Sequence, residues 1–192
     1  KNEGVRLFAL EKSATTPVPG IEAAARRAAA SVDRVERSLA LDLLARIDVG
    51  GNRELFLDAL DSPYRSVRLR ALKALQTLSD RSLSPRLVGV LEDDPDPDLQ
   101  ALAARGLGLM GAADAREALY GAVAKGHPVV QTAAIRALVA IGELGAGRLL
   151  LERARTAVGS ERRRLFGLVA LVPDAGLVPP LLELMEDPDE EV

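Results

Sequence analysis

The chain has 192 residues, with 25 Lys and Arg against 28 Asp and Glu, for a formal charge of −3. Apolar residues make up 48% of it, but only three Phe and two Tyr are aromatic, and Cys and Trp are absent. This composition excludes disulfides, thiolate metal sites and a Cys nucleophile, and it gives no general attraction to nucleic acid or acidic membranes.

In chain order, Val5-Arg6-Leu7-Phe8-Ala9-Leu10 reads as the start of a degraded helix, with Lys12 and Ser13 where Leu is expected. Ser13 to Gly20 would be a loose connection, and Ile21, Ala25 and Ala29 the core stripe of the following helix. The alternative for this first stretch is a tail through about residue 19 that forms no helix.

Beyond it the chain repeats. Five anchors, Ile47, Leu78, Met110, Ile141 and Val172, are separated by 31, 32, 31 and 31 residues. Seven residues before them stand Ala40, Ala71, Ala103, Ala134 and Leu165; three before, Leu44, Leu75, Leu107, Leu138 and Val169. Nine after come Phe56, Leu87, Leu119, Leu150 and Leu181; thirteen after, Leu60, Leu91, Val123, Ala154 and Met185. All twenty flanking positions are apolar. The offsets before the anchor trace one stripe of a helix A, and those after it trace a helix B.

The A–B turn is expected three to five residues past each anchor, near the breakers Gly50-Gly51, Ser79-Asp80, Gly111, Gly142 and Pro173-Asp174. Between repeats, Pro63 matches Pro95, and Pro97 matches Pro128 near the start of helix A. The repeats span 32–62, 63–94, 95–125, 126–156 and 157–187, after the degraded 1–31. The final Glu186 to Val192 copies the turn at Glu92 to Leu99, so residues 188–192 read as the start of a further, truncated repeat, and the whole as one array of about six repeats, a piece of a longer chain.

Three stretches resemble HEAT-like repeats of the short type found in phycobilin lyases: Val67-Arg68-Leu69-Arg70-Ala71-Leu72, Asp94-Pro95-Asp96-Pro97-Asp98-Leu99 and Leu107-Gly108-Leu109-Met110-Gly111. The resemblance implies an all-α, right-handed solenoid of helical hairpins with the B helices on its concave side. The small residues Ala74, Gly106 and Ala137, four before their anchors, are expected to let helices approach closely. Gly106 and Gly108 together forgo about 2 kcal/mol of helix propensity relative to Ala, which packing must offset.

Chemical readings find little support. His127, alone before Pro128, is expected to cap a helix rather than bind metal, unlike the His-Glu pairs of the HEAT-like hydroxylases. The acidic turn Glu92 to Asp98 lacks the placed Gly and Glu of a calcium loop and reads as capping. No serine has a histidine to activate it, so no catalytic residue, cofactor site or metal site is assigned and the chain is read as a non-enzyme. Aromatic poverty argues against the HEAT-like glycosylases and nucleic acid.

The function expected is a protein-binding scaffold using the concave B-helix face. The candidate partner-binding residues are Arg86, Arg116, Tyr120, Arg148, Glu152, Arg155 and Glu183. Its rivals are a structural spacer in a longer protein, a chromophore-lyase-like subunit and a nucleic-acid backbone binder through the Arg clusters. End-to-end self-association through the terminal repeats is a further expectation. No apolar run of about 18 residues is present, so the partner is another protein and not a membrane. The chain is read as soluble, with the cytoplasm as the favoured compartment.

Overall fold

A computed structural model describes residue 12 and residues 20–185. The expectations for the degraded first A helix, its connection and the terminal Glu186 to Val192 therefore lie outside the described residues. Eleven α-helices are found there, with no strand. They are α1 (Ile21–Ala29), α2 (Arg34–Ile47), α3 (Arg53–Ala59), α4 (Arg65–Gln76), α5 (Ser84–Asp93) and α6 (Pro97–Leu109). Then follow α7 (Arg116–Lys125), α8 (Pro128–Ala140), α9 (Ala146–Thr156), α10 (Gly159–Val169) and α11 (Val178–Met185). Even-numbered helices are the A helices of the sequence pattern and odd-numbered ones the B helices. The fold divides into two compact units, one up to Arg86 and one from Leu87.

Each A helix starts at the same repeat position, fourteen residues before its anchor, and the side chain there decides how well it is capped. Asp33 accepts from the Glu36 backbone N–H at 2.7 Å, and Asp96 accepts from Asp98 N–H at 2.9 Å. Both satisfy donors that a helix start leaves open. His127 Nδ1 accepts from Val129 N–H at a long 3.5 Å, so this lone histidine is a cap, as expected. Tyr64 and Val158 hold the same position and supply no cap. Pro97 and Pro128 each stand in the first turn, where a missing N–H is harmless. The acidic turn does the capping expected of it, with Asp94 also accepting from Asp96 N–H at 2.9 Å.

In three of the five A helices, α4, α6 and α8, the residue one past the anchor is left-handed: Ser79 (φ 50°), Gly111 (φ 62°) and Gly142 (φ 85°). Short 3₁₀ turns follow at Gly50–Asn52, Arg81–Leu83, Ala113–Ala115 and Ala175–Leu177, three to five residues past their anchors as expected.

The same repeat positions are buried within each unit. Leu44, Leu75, Leu107 and Leu138 are fully buried, as are Phe56, Leu87, Leu119 and Leu150. Each such side chain contributes about 1.5–3 kcal/mol by leaving water. A further position that the sequence pattern did not include lies five residues past the anchor, where Leu83, Ala115, Ala146 and Leu177 are buried. In the repeat anchored at Ile47, Asn52 fills that place and is also buried. Its amide donates to the Asp48 carbonyl at 2.7 Å, and its oxygen accepts from Arg26 Nε at 2.7 Å, so the burial leaves it satisfied.

In the second unit, α6 packs along α8, and α7 and α9 pack against α8 and α10 respectively. The last carbonyls of α7 would be unpaired at a helix end. Gln131 Nε2 donates to Val123 O at 3.0 Å, and Arg153 donates to Val123 O and Ala124 O at 3.3 and 3.2 Å. Arg164 on α10 bonds Gln131 Oε1 and is held by two bonds to Glu161, at 2.9 and 2.7 Å. Four helices are thus tied by one polar network.

Candidate functional site

The B helices carry the candidate partner-binding residues, and most of their charges are already engaged within the chain. Arg86, in the first unit, donates to Leu57 O at 3.1 Å and to Asp61 at 2.8 Å. Arg116 on α7 pairs with Glu143 at 3.3 Å and Glu117 at 3.5 Å. These contacts hold its proton more firmly than usual, chiefly through the Glu143 hydrogen bond. Arg53 makes the equivalent contact in the first unit, to Asp80 at 3.5 Å. In both cases an arginine six residues past its anchor reaches an acid two residues past the next anchor. Ser84 and Gly147, six past their own anchors, cannot do this.

Tyr120 lies one turn after Arg116, half-buried, with its hydroxyl against the Gly145 backbone. A Cβ at Gly145 would stand 2.7 Å from that oxygen. Burial raises the Tyr120 pKa, with Glu143 acting in the same direction and Arg116 against it. Glu152, Arg155 and Glu183 form a chain from α9 to α11, with both contacts to Arg155 at 3.6 Å. Arg148 differs from the rest: it is exposed and makes no ion pair or hydrogen bond among the described residues. Of the candidates only Glu152, Arg155 and Glu183 are joined to one another; Arg86 and Arg116 pair with acids outside the set, Tyr120 rests on Gly145, and Arg148 is free among the described residues.

A different feature of the B helices was not singled out from sequence. An open trough of about 330 Å³ runs between α5 and α7, walled by Leu91, Glu92, Gln100, Lys125 and His127. Ala118, Gly121 and Ala122 also line it. Glu92 and Lys125 are exposed and carry no pairing among the described residues. Gly121 and its repeat equivalent Gly89, each eleven past its anchor, sit mid-helix, and a Cβ at either would meet nothing within 4 Å. Internal packing therefore does not require glycine at either place. The signal that would have found them is this glycine recurrence in phase. A second cleft, about 470 Å³ around Gly50 to Leu55 in the first unit, has both of its arginines tied: Arg26 to Asn52 and Glu22, Arg53 to Asp80 and Ser82.

Among the described residues no group of three or more His, Asp or Glu is placed to hold a metal ion. No described helix is long and apolar enough to cross a membrane.

The paired helices, the 31-residue period and the capped Asp-Pro turn have a counterpart among known families. Residues 84–170 match the family model of HEAT repeats. Residues 84–170 carry HEAT repeats. The match covers repeats three and four with parts of their neighbours, and it concerns the HEAT repeat itself rather than the lyase-type subclass. No curated protein matches the chain.

Proposed function

We propose that this HEAT-repeat chain is a non-catalytic protein-interaction scaffold, and that its partner lies on the B-helix face of the second unit, over the α5–α7 trough. Stacked helical hairpins present extended surfaces suited to a long partner rather than a small substrate. The observation that carries the reading is the pair Gly89 and Gly121. Each lowers helix stability by about 1 kcal/mol relative to Ala, and no neighbour in the fold occupies the space a side chain would take. A partner backbone approaching the helices closely accounts for both.

Glu92 and Lys125 then set orientation, because neither is consumed by an internal pair, and Arg148 extends the free charge onto α9. The paired residues Arg116, Arg155 and Glu183 hold the face in shape and lend it little net attraction. The test is capture of partners with wild type, Gly121→Ala and Gly121→Leu. Wild type should retain a near-stoichiometric protein, Gly121→Ala should retain less of it, and Gly121→Leu should lose it. Equal capture by all three would place the binding surface elsewhere.

A further inference from the structure

The opposite side of the second unit, where the A helices face solvent, has a charge pattern that the proposed scaffold surface does not use. Arg105 on α6 and Arg136 on α8 occupy the same repeat position, five residues before their anchors, and both are exposed. Arg163 on α10 is exposed too, and none of the three makes an ion pair or hydrogen bond among the described residues. The helices that bear them are neighbours: Gly108 of α6 abuts Ala137 of α8, and Arg164 of α10 bonds Gln131 of α8. The acids on these helices are Asp98 in the first turn of α6 and Glu161, which is held by Arg164. Next to the arginines the surface is apolar. Leu109, one turn beyond Arg105, is 77% exposed, and Val129 on α8 is 41% exposed. The first unit differs in part: Asp42, paired with Arg70 at 2.7 Å, and Lys73 hold the arginine position, Arg46 and Thr77 stand where Leu109 does, and Val35 and Ser66 where Val129 does.

We propose that the outer face of α6, α8 and α10 is a second docking surface, and that it takes an acidic amphipathic helix of a partner protein. The partner's carboxylates meet Arg105 and Arg136, and its apolar edge covers Leu109. Unpaired arginines beside exposed leucine match the composition of protein interfaces, and binding here breaks no internal ion pair. Spacing supports a helix as the occupant. Packed helices lie about 8–10 Å apart, and residues seven apart on a crossing helix are separated by about 10 Å. Carboxylates at a seven-residue interval thus reach both arginines. Nucleic acid fits less well, because a phosphate backbone makes no use of Leu109 and Val129 and the chain as a whole is acidic. This surface shares no residue with the α5–α7 trough, so each proposal can fail without the other.

The test is fluorescence anisotropy of the full chain with a labelled helical peptide bearing Glu at seven-residue intervals and Leu between them. Saturable binding is expected, weakened about tenfold by Arg105→Glu with Arg136→Glu. Leu109→Ala should weaken it several-fold, while Arg148→Glu on the other face should leave it unchanged. The substituted residues are exposed and unpaired, so circular dichroism should show wild-type helicity. Absence of saturable binding overturns the proposal, as does equal binding of a shuffled peptide of the same composition. Displacement of the peptide by duplex DNA or phosphatidylserine vesicles would assign the face to polyanions and overturn it as well.

Discussion

Gly108 on α6 lies so close to Ala137 on α8 that an added Cβ would stand 2.8 Å from the Ala137 Cα. The clash would be with backbone, which cannot rotate aside. Ala is the better helix former by about 1 kcal/mol, but overpacking a tight contact costs about 1–3 kcal/mol. Gly108→Ala should therefore destabilise the protein by about 1 kcal/mol, read by urea unfolding. Gly121→Ala, in open space, should move the midpoint the other way.

Ser79 occupies the left-handed position that Gly111 and Gly142 occupy in other repeats. A residue with a Cβ is disfavoured there by about 1–2 kcal/mol, whereas glycine adopts the conformation freely. Ser79→Gly should raise stability by about 1 kcal/mol after the entropy of the unfolded chain is counted. A lower melting temperature in that variant would contradict the account of the A–B turn.

The helix starts give an opposed pair of expectations. Asp96→Ala removes a cap from α6 and should cost about 1 kcal/mol. Tyr64 has the same extended backbone, φ −92° and ψ 118° against −102° and 114° at Asp96, and offers no acceptor. Tyr64→Asp should supply one and stabilise the chain by about 0.5 kcal/mol, since part of the tyrosine's packing is lost. Thermal melts of the two single variants check both signs.

Glu161 titrates below the ordinary carboxylate range because of its hydrogen bonds from Arg164, with the charges of Arg164 and Arg153 adding to the effect and burial opposing it. A lowered folded-state pKa means the contribution is complete above the ordinary glutamate value and is lost as pH falls through the lowered one. Between about pH 6 and about pH 3 the wild type should lose more of its melting temperature than Glu161→Gln. Parallel curves would show that the network does not depend on that charge.

The hairpin pattern was legible because small and large apolar residues recur at fixed offsets, and those offsets are what a two-helix repeat must bury. The anchor itself was a poorer guide to the core. Ile47 is 41% exposed while Met110 and Val172 are buried, because this position ends helix A, where the chain turns away. The position held by Asn52, Leu83, Ala115, Ala146 and Leu177 was hidden by its mixed chemistry, which a hydrophobic pattern cannot register. Arg116 was visible as a charge, but not its engagement by Glu143, which depends on how successive repeats stack. Gly89 and Gly121 stand outside the apolar offsets, and only their surroundings reveal that the space beside them is open.

The central claim is that the α5–α7 trough receives a partner, and Gly121 tests it most directly. Partner affinity should be measured for wild type, Gly121→Ala and Gly121→Leu with the captured protein, alongside circular dichroism. The account predicts equal or greater helicity in both variants, a loss of affinity of about threefold or more for Gly121→Ala, and at least about a tenfold loss for Gly121→Leu. Unchanged affinity in a folded Gly121→Leu protein would contradict it.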